Sequence, residues 1–305
     1  MKEKIIIILG PTATGKSDLA VHIAKKIKGE IISADSRQVY KGLDIGTGKI
    51  TKKEMRGIPH HMLDVANPKR KFSVVEYVKI AEKAVAEIIA NRKVPIIVGG
   101  TGFYIEALVD GVVLPEVPPD NELRKKLAKK SNKELFNILK KLDSVRAESI
   151  DPSNTRRIIR AIEIAKTLGK VPKAKFISKY NPIFIGLNLP PEILKNKIKD
   201  RLDKRIKKGM IKEAEKLHEN GLSWKRMNEL GLEYRYLASY LQNKITKEEM
   251  VTKLNTEIWH YARRQMTWFK RDRRIKWLDG NKKARYFPEE VSRALMGAQG
   301  LSFEG

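Results

Sequence analysis

Unbroken apolar runs alternate along the first third of the chain with stretches whose apolar residues recur at helical spacing. Ile5 to Leu9 are all apolar, and such a run reads as a parallel strand buried on both faces. Leu19, Ala20, Ile23, Ala24 and Ile27 then recur every three or four residues, the mark of an amphipathic helix. A second short strand, Ile31-Ile32-Ser33-Ala34, ends on the acid Asp35. Residues 41–53 are charged and rich in glycine and read as loop. Val75, Val78, Ala81, Val85, Ile88 and Ile89 give residues 72–91 an apolar helical face. Residues 93–98 form a third buried strand, closed by Gly99-Gly100-Thr101-Gly102, and residues 103–109 are helical. Strands alternating with helices predict an α/β fold, a parallel sheet with helices on both faces. Ligands of such sheets gather at the carboxyl ends of the strands, so the end of the first strand, Asp35 and Thr101 are expected to converge.

The pattern changes after Pro115, Pro118 and Pro119. Residues 121–142 are strongly basic on one side, with Leu123, Leu127, Leu135, Ile138 and Leu142 on the other, and predict two helices or one broken at Ser131-Asn132. Asp151-Pro152 opens a further helix running to Leu168 and capped by Gly169. Residues 115–180 are therefore expected to form an all-helical insertion domain. The sheet resumes at 182–187, helices follow over 191–219 and 246–272 with a loop and a helix between them over 221–241, and 276–278 is a last short strand. The expected division is a catalytic core of 1–114 and 181–290, the insertion, and a flexible tail over 291–305.

The loop after the first strand changes the picture from fold to chemistry. Gly10-Pro11-Thr12-Ala13-Thr14-Gly15-Lys16-Ser17 has the spacing Gly-x-x-x-x-Gly-Lys-Ser between a strand and a helix. Its backbone N–H groups, the helix N-terminus and Lys16 suit a phosphate chain, and the Ser17 hydroxyl suits Mg2+. The fold class is thus a P-loop NTPase-like parallel sheet flanked by helices, with a helical insertion. The loop could in principle accept ATP. The third strand ends in Gly-Gly-Thr, without the acid that holds Mg2+ in most P-loop ATPases, which argues against motors and helicases. Asp35 is a candidate general base, or alternatively an outer ligand of magnesium or a helix cap.

Composition narrows the partner. The net charge is +27, with 63 Lys and Arg against 36 Asp and Glu, which points to a polyanion, and nucleic acid in preference to lipid. There are no cysteines, so disulfides, thiolate metal sites and cysteine nucleophiles are excluded, in keeping with a cytoplasmic protein. No apolar run approaches the ~18 residues of a membrane span, and no secretory leader is expected. His60-His61 suggests a metal, but neighbours in an extended segment point to opposite faces and no third ligand is near. Trp259, Tyr261, Trp268 and Phe269 are read as core.

Taken together, these motifs resemble the tRNA dimethylallyltransferase (isopentenyl-tRNA transferase) family. The resemblance rests on Gly10–Ser17, on Ile32-Ser33-Ala34-Asp35-Ser36-Arg37-Gln38-Val39-Tyr40, and on Asp44 to Lys49, Pro59 to Asp64 and Val98 to Tyr104. Downstream it includes Asp151-Pro152, Arg156 to Glu163, Arg201 through Arg205 to Gly209, and Arg264-Gln265-Met266-Thr267-Trp268. One departure is Gly231-Leu232-Glu233-Tyr234-Arg235, where the family usually has Gly-Tyr-Arg or Gly-Tyr-Lys. The resemblance implies transfer of a dimethylallyl group from dimethylallyl diphosphate to N6 of the adenosine 3′ of the anticodon in tRNA. It implies that Asp35, Thr12, Arg205 and Thr101 serve the reaction and that Gly10, Pro11, Thr12, Ala13, Thr14, Gly15, Lys16 and Ser17 hold the diphosphate. Asp35, Ser36, Arg37, Gln38 and Thr101 would grip the target nucleotide. Arg124, Arg156, Arg157, Ile158, Ile159 and Arg160 would bind the anticodon stem-loop. A monomer needing Mg2+, with no membrane partner, is expected. A P-loop small-molecule kinase, an adenylate isopentenyltransferase and a non-catalytic RNA-binding protein with a relic loop are the alternatives.

Overall fold

In the computed structural model, described for residues 2–113, 115–173 and 175–281, the chain divides into two compact units. The first comprises 2–111 and 178–281, and the second is 112–177. The tail expected over 291–305 lies outside the described residues.

The first unit is built on a six-stranded parallel sheet. Its strands are β1 (Glu3–Leu9), β2 (Gly29–Ala34), β3 (His60–His61), β4 (Val94–Gly99), β7 (Tyr180–Asn188) and β8 (Lys276–Asp279), in the order β3-β2-β4-β1-β7-β8. The isoleucines of β1 are buried on both faces, as a strand in the middle of a covered sheet requires. Pro95 and Pro182 stand in β4 and β7, where proline removes a ladder donor. Each lies where its strand is paired on one side only, since β1 joins β4 from Ile96 and β8 joins β7 from Ile185. The two-residue strand β3 is too short for its pattern to be read in advance.

On one face, α1 (Lys16–Lys26) covers the sheet through Leu19, Ala20, Ile23 and Ala24, which pack on Ile6, Ile8, Ile31 and Ile96. On the other lie α3 (Val74–Ala90) and α4 (Gly102–Val109), together with the carboxyl-terminal helices. The short α2 (Lys52–Met55) and α3 each begin at a capping box, Thr51 with Glu54 and Ser73 with Glu76. In the second half of the chain, the helical run over 191–219 is two helices, α9 (Pro191–Lys207) and α10 (Met210–Glu219), broken at Gly209. Likewise 221–241 is α11 (Trp224–Leu230) and α12 (Leu232–Leu241), and α13 (Lys247–Phe269) starts at the Thr246–Glu249 capping box.

The second unit holds α5 (Asn121–Leu127), α6 (Asn132–Leu142), α7 (Ser144–Ser149) and α8 (Thr155–Leu168). It is not wholly helical: β5 (Val112–Val113) and β6 (Lys175–Phe176) pair antiparallel where the chain enters and leaves it. This unit begins and ends three residues earlier than the expected 115–180. The break at Ser131 is real, because the Ser131 hydroxyl caps α6 with Glu134. The helix expected from Asp151 starts instead at Thr155, capped by Asn154, because Asp151 is engaged in a turn with Ser153. Leu127, Leu135, Leu139, Ala147, Ile158 and Ile162 form this unit's own core.

Candidate active site

Sheet register brings the three predicted strand ends to one level. Leu9 of β1 and Ala34 of β2 are both partners of Gly99 in β4, so Gly10, Asp35 and Gly100 leave the sheet side by side. Gly10 has a φ of 137°, and a Cβ there would run into the Leu187 carbonyl of β7, so only glycine lets the loop turn off β1 at this point. The loop curls through Ala13, held at a φ of 65°, and is tied internally by the Thr14 hydroxyl donating to the Pro11 carbonyl.

A cavity of about 540 Å3 opens above these strand ends. Thr12, Ala13, Gly15, Lys16 and Ser17 line it on one side and Asp35, Arg37 and Gln38 on another. Lys16 donates from Nζ to the Pro11 carbonyl at 2.5 Å. Burial, and then the nearby Arg201 guanidinium, push its pKa down to about 7, against a smaller opposing pull from Asp35. The Asp35 carboxylate accepts the N–H groups of Arg37 (2.8 Å) and Gln38 (3.3 Å) through Oδ1. Thr101 does not line the cavity directly. Its hydroxyl accepts the Ser36 N–H at 3.0 Å, so it holds the backbone next to Asp35.

Helix α9 supplies a charged wall. Lys197, Asp200, Arg201, Lys204 and Arg205 face the cavity, while Leu194, Ile198 and Leu202 pack into the core. That division at intervals of three and four is visible in the sequence and marks Arg201 as well as Arg205. In this structure it is Arg201 that reaches the phosphate loop, donating to the Thr12 hydroxyl at 3.4 Å and to the Gly48 carbonyl at 3.1 Å. Arg205 lies one turn further on, bonded to the Gly46 carbonyl at 2.7 Å and to Glu233 at 3.0 Å. The loop that receives both arginines is itself fastened by Glu213, whose carboxylate accepts the N–H groups of Asp44, Ile45 and Gly46 and the Tyr234 hydroxyl.

Helix α13 closes the cavity with Ile258, Tyr261 and Gln265, which share one helical face. Tyr261 was expected in the core. It instead lines the cavity, and burial together with the Asp35 charge raises its pKa. Phe269 is buried in the core, with Trp259 and Trp268 packed partly buried against it. His61 bonds to Glu30 and His60 to the Ile58 carbonyl, and no group of three or more His, Cys, Asp or Glu is placed to hold a metal among the described residues.

In the second unit the expected RNA-binding residues fall into three groups. Arg124 grips the buried Glu163 with Nε and Nη2 at 2.6 and 2.7 Å, and Arg160 bonds the same carboxylate at 3.0 Å. Ile158 is fully buried in that unit's core and Ile159 partly so, because helical periodicity turns them inward, so their side chains are not the part of this expected tRNA-binding stretch that is open to solvent. Arg156 and Arg157 remain exposed on α8.

A phosphate loop, an opposing carboxylate and an arginine wall around one cavity define a P-loop-type group-transfer site on a parallel α/β sheet. The family model for IPP transferase matches residues 38–272, and the chain belongs to that family. A tRNA dimethylallyltransferase of Treponema denticola is 45% identical over 276 residues, covering 88% of this chain and 92% of that one. The solved tRNA isopentenylpyrophosphate transferase of Bacillus halodurans superposes with a TM-score of 0.74 at 36% identity, covering 97% and 98% of the two chains. A eukaryotic dimethylallyltransferase solved acting on tRNA gives a TM-score of 0.82 at 26% identity, covering 99% of this chain and 81% of that one. No described helix is long and apolar enough to cross a membrane.

Proposed function

We propose that this enzyme transfers the dimethylallyl group of dimethylallyl diphosphate to N6 of the adenosine 3′-adjacent to the anticodon of tRNA. The observation that carries the reading is the meeting of the phosphate loop and Asp35 in one cavity, in a chain of the IPP transferase family. A bond forms between N6 and the allylic carbon as that carbon's bond to the diphosphate oxygen breaks. The electron pair leaves with diphosphate, and the N6 proton passes to the Asp35 carboxylate. The N–H groups of the loop, Lys16, Arg201 and Arg205 stabilise the charge that grows on the leaving diphosphate. Because the adenine edge is reached only after unstacking, the target nucleotide is turned out towards Asp35, Arg37 and Gln38.

Magnesium suits the donors present. Ser17 is exposed at the start of α1, and such an ion is commonly held by one or two protein oxygens, water and substrate phosphates. When bound it would neutralise diphosphate charge. Arg156 and Arg157 of the insertion, both exposed, would meet RNA phosphates. The reading takes the protein as a cytoplasmic monomer that binds the anticodon stem-loop.

Mass spectrometry of tRNA nucleosides after incubation with the protein and dimethylallyl diphosphate tests this reading. A dimethylallyl adduct on that adenosine supports it. Label on free adenine nucleotides alone, or phosphate transfer from ATP to a small acceptor, would replace it.

A further inference from the structure

Gln265 of α13 is buried and makes two long-range bonds. Its carboxamide oxygen accepts the Thr12 N–H of the phosphate loop at 2.9 Å, and its nitrogen donates to the Gly100 carbonyl at the end of β4, also at 2.9 Å. The fit is close, since a Cβ on Gly100 would collide with the Gln265 amide nitrogen. From Gly100 the connection continues. Thr101 accepts the Ser36 N–H, and the neighbouring Asp35 carboxylate is held by the N–H groups of Arg37 and Gln38. The loop that carries the diphosphate and the segment that carries the base are therefore joined by one side chain from a third element. Neither bond is local in sequence and both ends are backbone, so beyond the strand ends that the sheet already sets side by side, one carboxamide braces the loop.

We propose that Gln265 is a positioning residue of the transfer site: it braces the phosphate loop at Thr12 against the end of β4 beside the Asp35 segment, and so holds the approach of the amine to the allylic carbon. The inference rests on the prenyl-transfer reading for its effect on rate. A misplacement of about 1 Å at such a site costs on the order of a hundredfold in rate. Substrate affinity responds less, because the diphosphate keeps Lys16 and the arginines and the tRNA keeps its own surface.

The experiment uses the full chain with Gln265→Met, which keeps length and removes both bonds, and Gln265→Glu. Gln265→Met is expected to lower kcat about a hundredfold, with the Kd for inorganic diphosphate and for tRNA changed less than threefold. Gln265→Glu is expected to recover relative to wild type as pH falls, because only the protonated carboxyl can accept from Thr12 and donate to Gly100. Lys16, Asp35, Arg201, Arg205, Glu233 and Tyr261 share the cavity, and taking the ratio to wild type at each pH removes their own titration. A Gln265→Met kcat within threefold of wild type, or a pH-independent ratio for Gln265→Glu, would overturn the proposal. If Gln265→Met does not fold, the Gln265→Glu series decides. Hydrogen exchange at the Thr12 amide, slow in wild type and fast in Gln265→Met, reads the bond itself without any turnover. A protected amide in a wild-type protein that makes no product would defeat the prenyl-transfer reading alone, whereas product formation with an unprotected amide would defeat this one.

Discussion

Arg205 Nη1 lies 3.0 Å from Glu233 Oε1, with only 11% and 12% of the two side chains exposed. Glu233 is the residue that departs from the usual family pattern, and it holds the arginine expected to serve the diphosphate. Removing one member of a nearly buried pair strands the other. Glu233→Ala should therefore cost about 3 kcal/mol of stability, seen as a lowered urea midpoint. The double variant Glu233→Ala with Arg205→Met should recover part of that loss; no recovery would mean that the pair contributes little.

Lys16 gives a pH dependence with a definite sign. Its pKa is about 7 in the folded protein against an ordinary value of 10.5, so the unfolded chain binds more protons between these values. Stability of the ligand-free protein should rise with pH from about 7 towards 10.5. Lys16→Met should raise Tm at pH 6 by more than at pH 9, and an equal gain at both would place the titration elsewhere. Relative to the Lys16→Met variant, wild type should lose affinity for inorganic diphosphate across the same rise in pH, the ratio removing the titration of diphosphate itself.

Asp35 accepts two backbone N–H groups through one oxygen, which fixes the carboxylate at the rim of the cavity. Asp35→Asn keeps that turn but cannot take a proton. The transfer rate should drop by at least a hundredfold, the lower range for a general base, with tRNA binding unchanged. Single-turnover kinetics with labelled dimethylallyl diphosphate measure this, and an undiminished rate would assign the base to another group.

Glu163 organises the insertion. Burial alone would push its carboxyl up, but the bonds from Arg124, Arg160 and the Asp120 N–H outweigh this and hold it below the usual carboxylate range. Its contribution is thus present at neutral pH and lost as pH falls through that depressed value. Glu163→Gln should lower the unfolding midpoint near pH 7 and leave it close to wild type in strong acid, as followed by circular dichroism.

The same pair geometry changes which arginines report on RNA. Arg156→Ala and Arg157→Ala should each reduce the slope of log K against log salt for tRNA by about 1. Arg124→Ala and Arg160→Ala should instead destabilise the insertion, because each leaves Glu163 short of a partner. A full loss of slope in the Arg160 variant with an unchanged melting profile would return that residue to the RNA surface.

The sequence by itself determined what is local. Five apolar residues in a row specify a buried strand, and Gly-x-x-x-x-Gly-Lys-Ser specifies a tight turn between strand and helix; the Ser/Thr-x-x-Glu helix starts at Thr51, Ser73, Ser131 and Thr246 are equally local, although Thr51 falls in a stretch read as loop. Periodicity and turn chemistry act over a few residues, so a linear reading captures them. Only the tertiary structure decided that Arg201 rather than Arg205 reaches Thr12, that Arg124 and Arg160 close on Glu163, and that Gln265 spans two loops from 253 and 165 residues away. Those contacts depend on which helix faces which strand end. That is settled by packing of the whole core, which no window of the sequence contains.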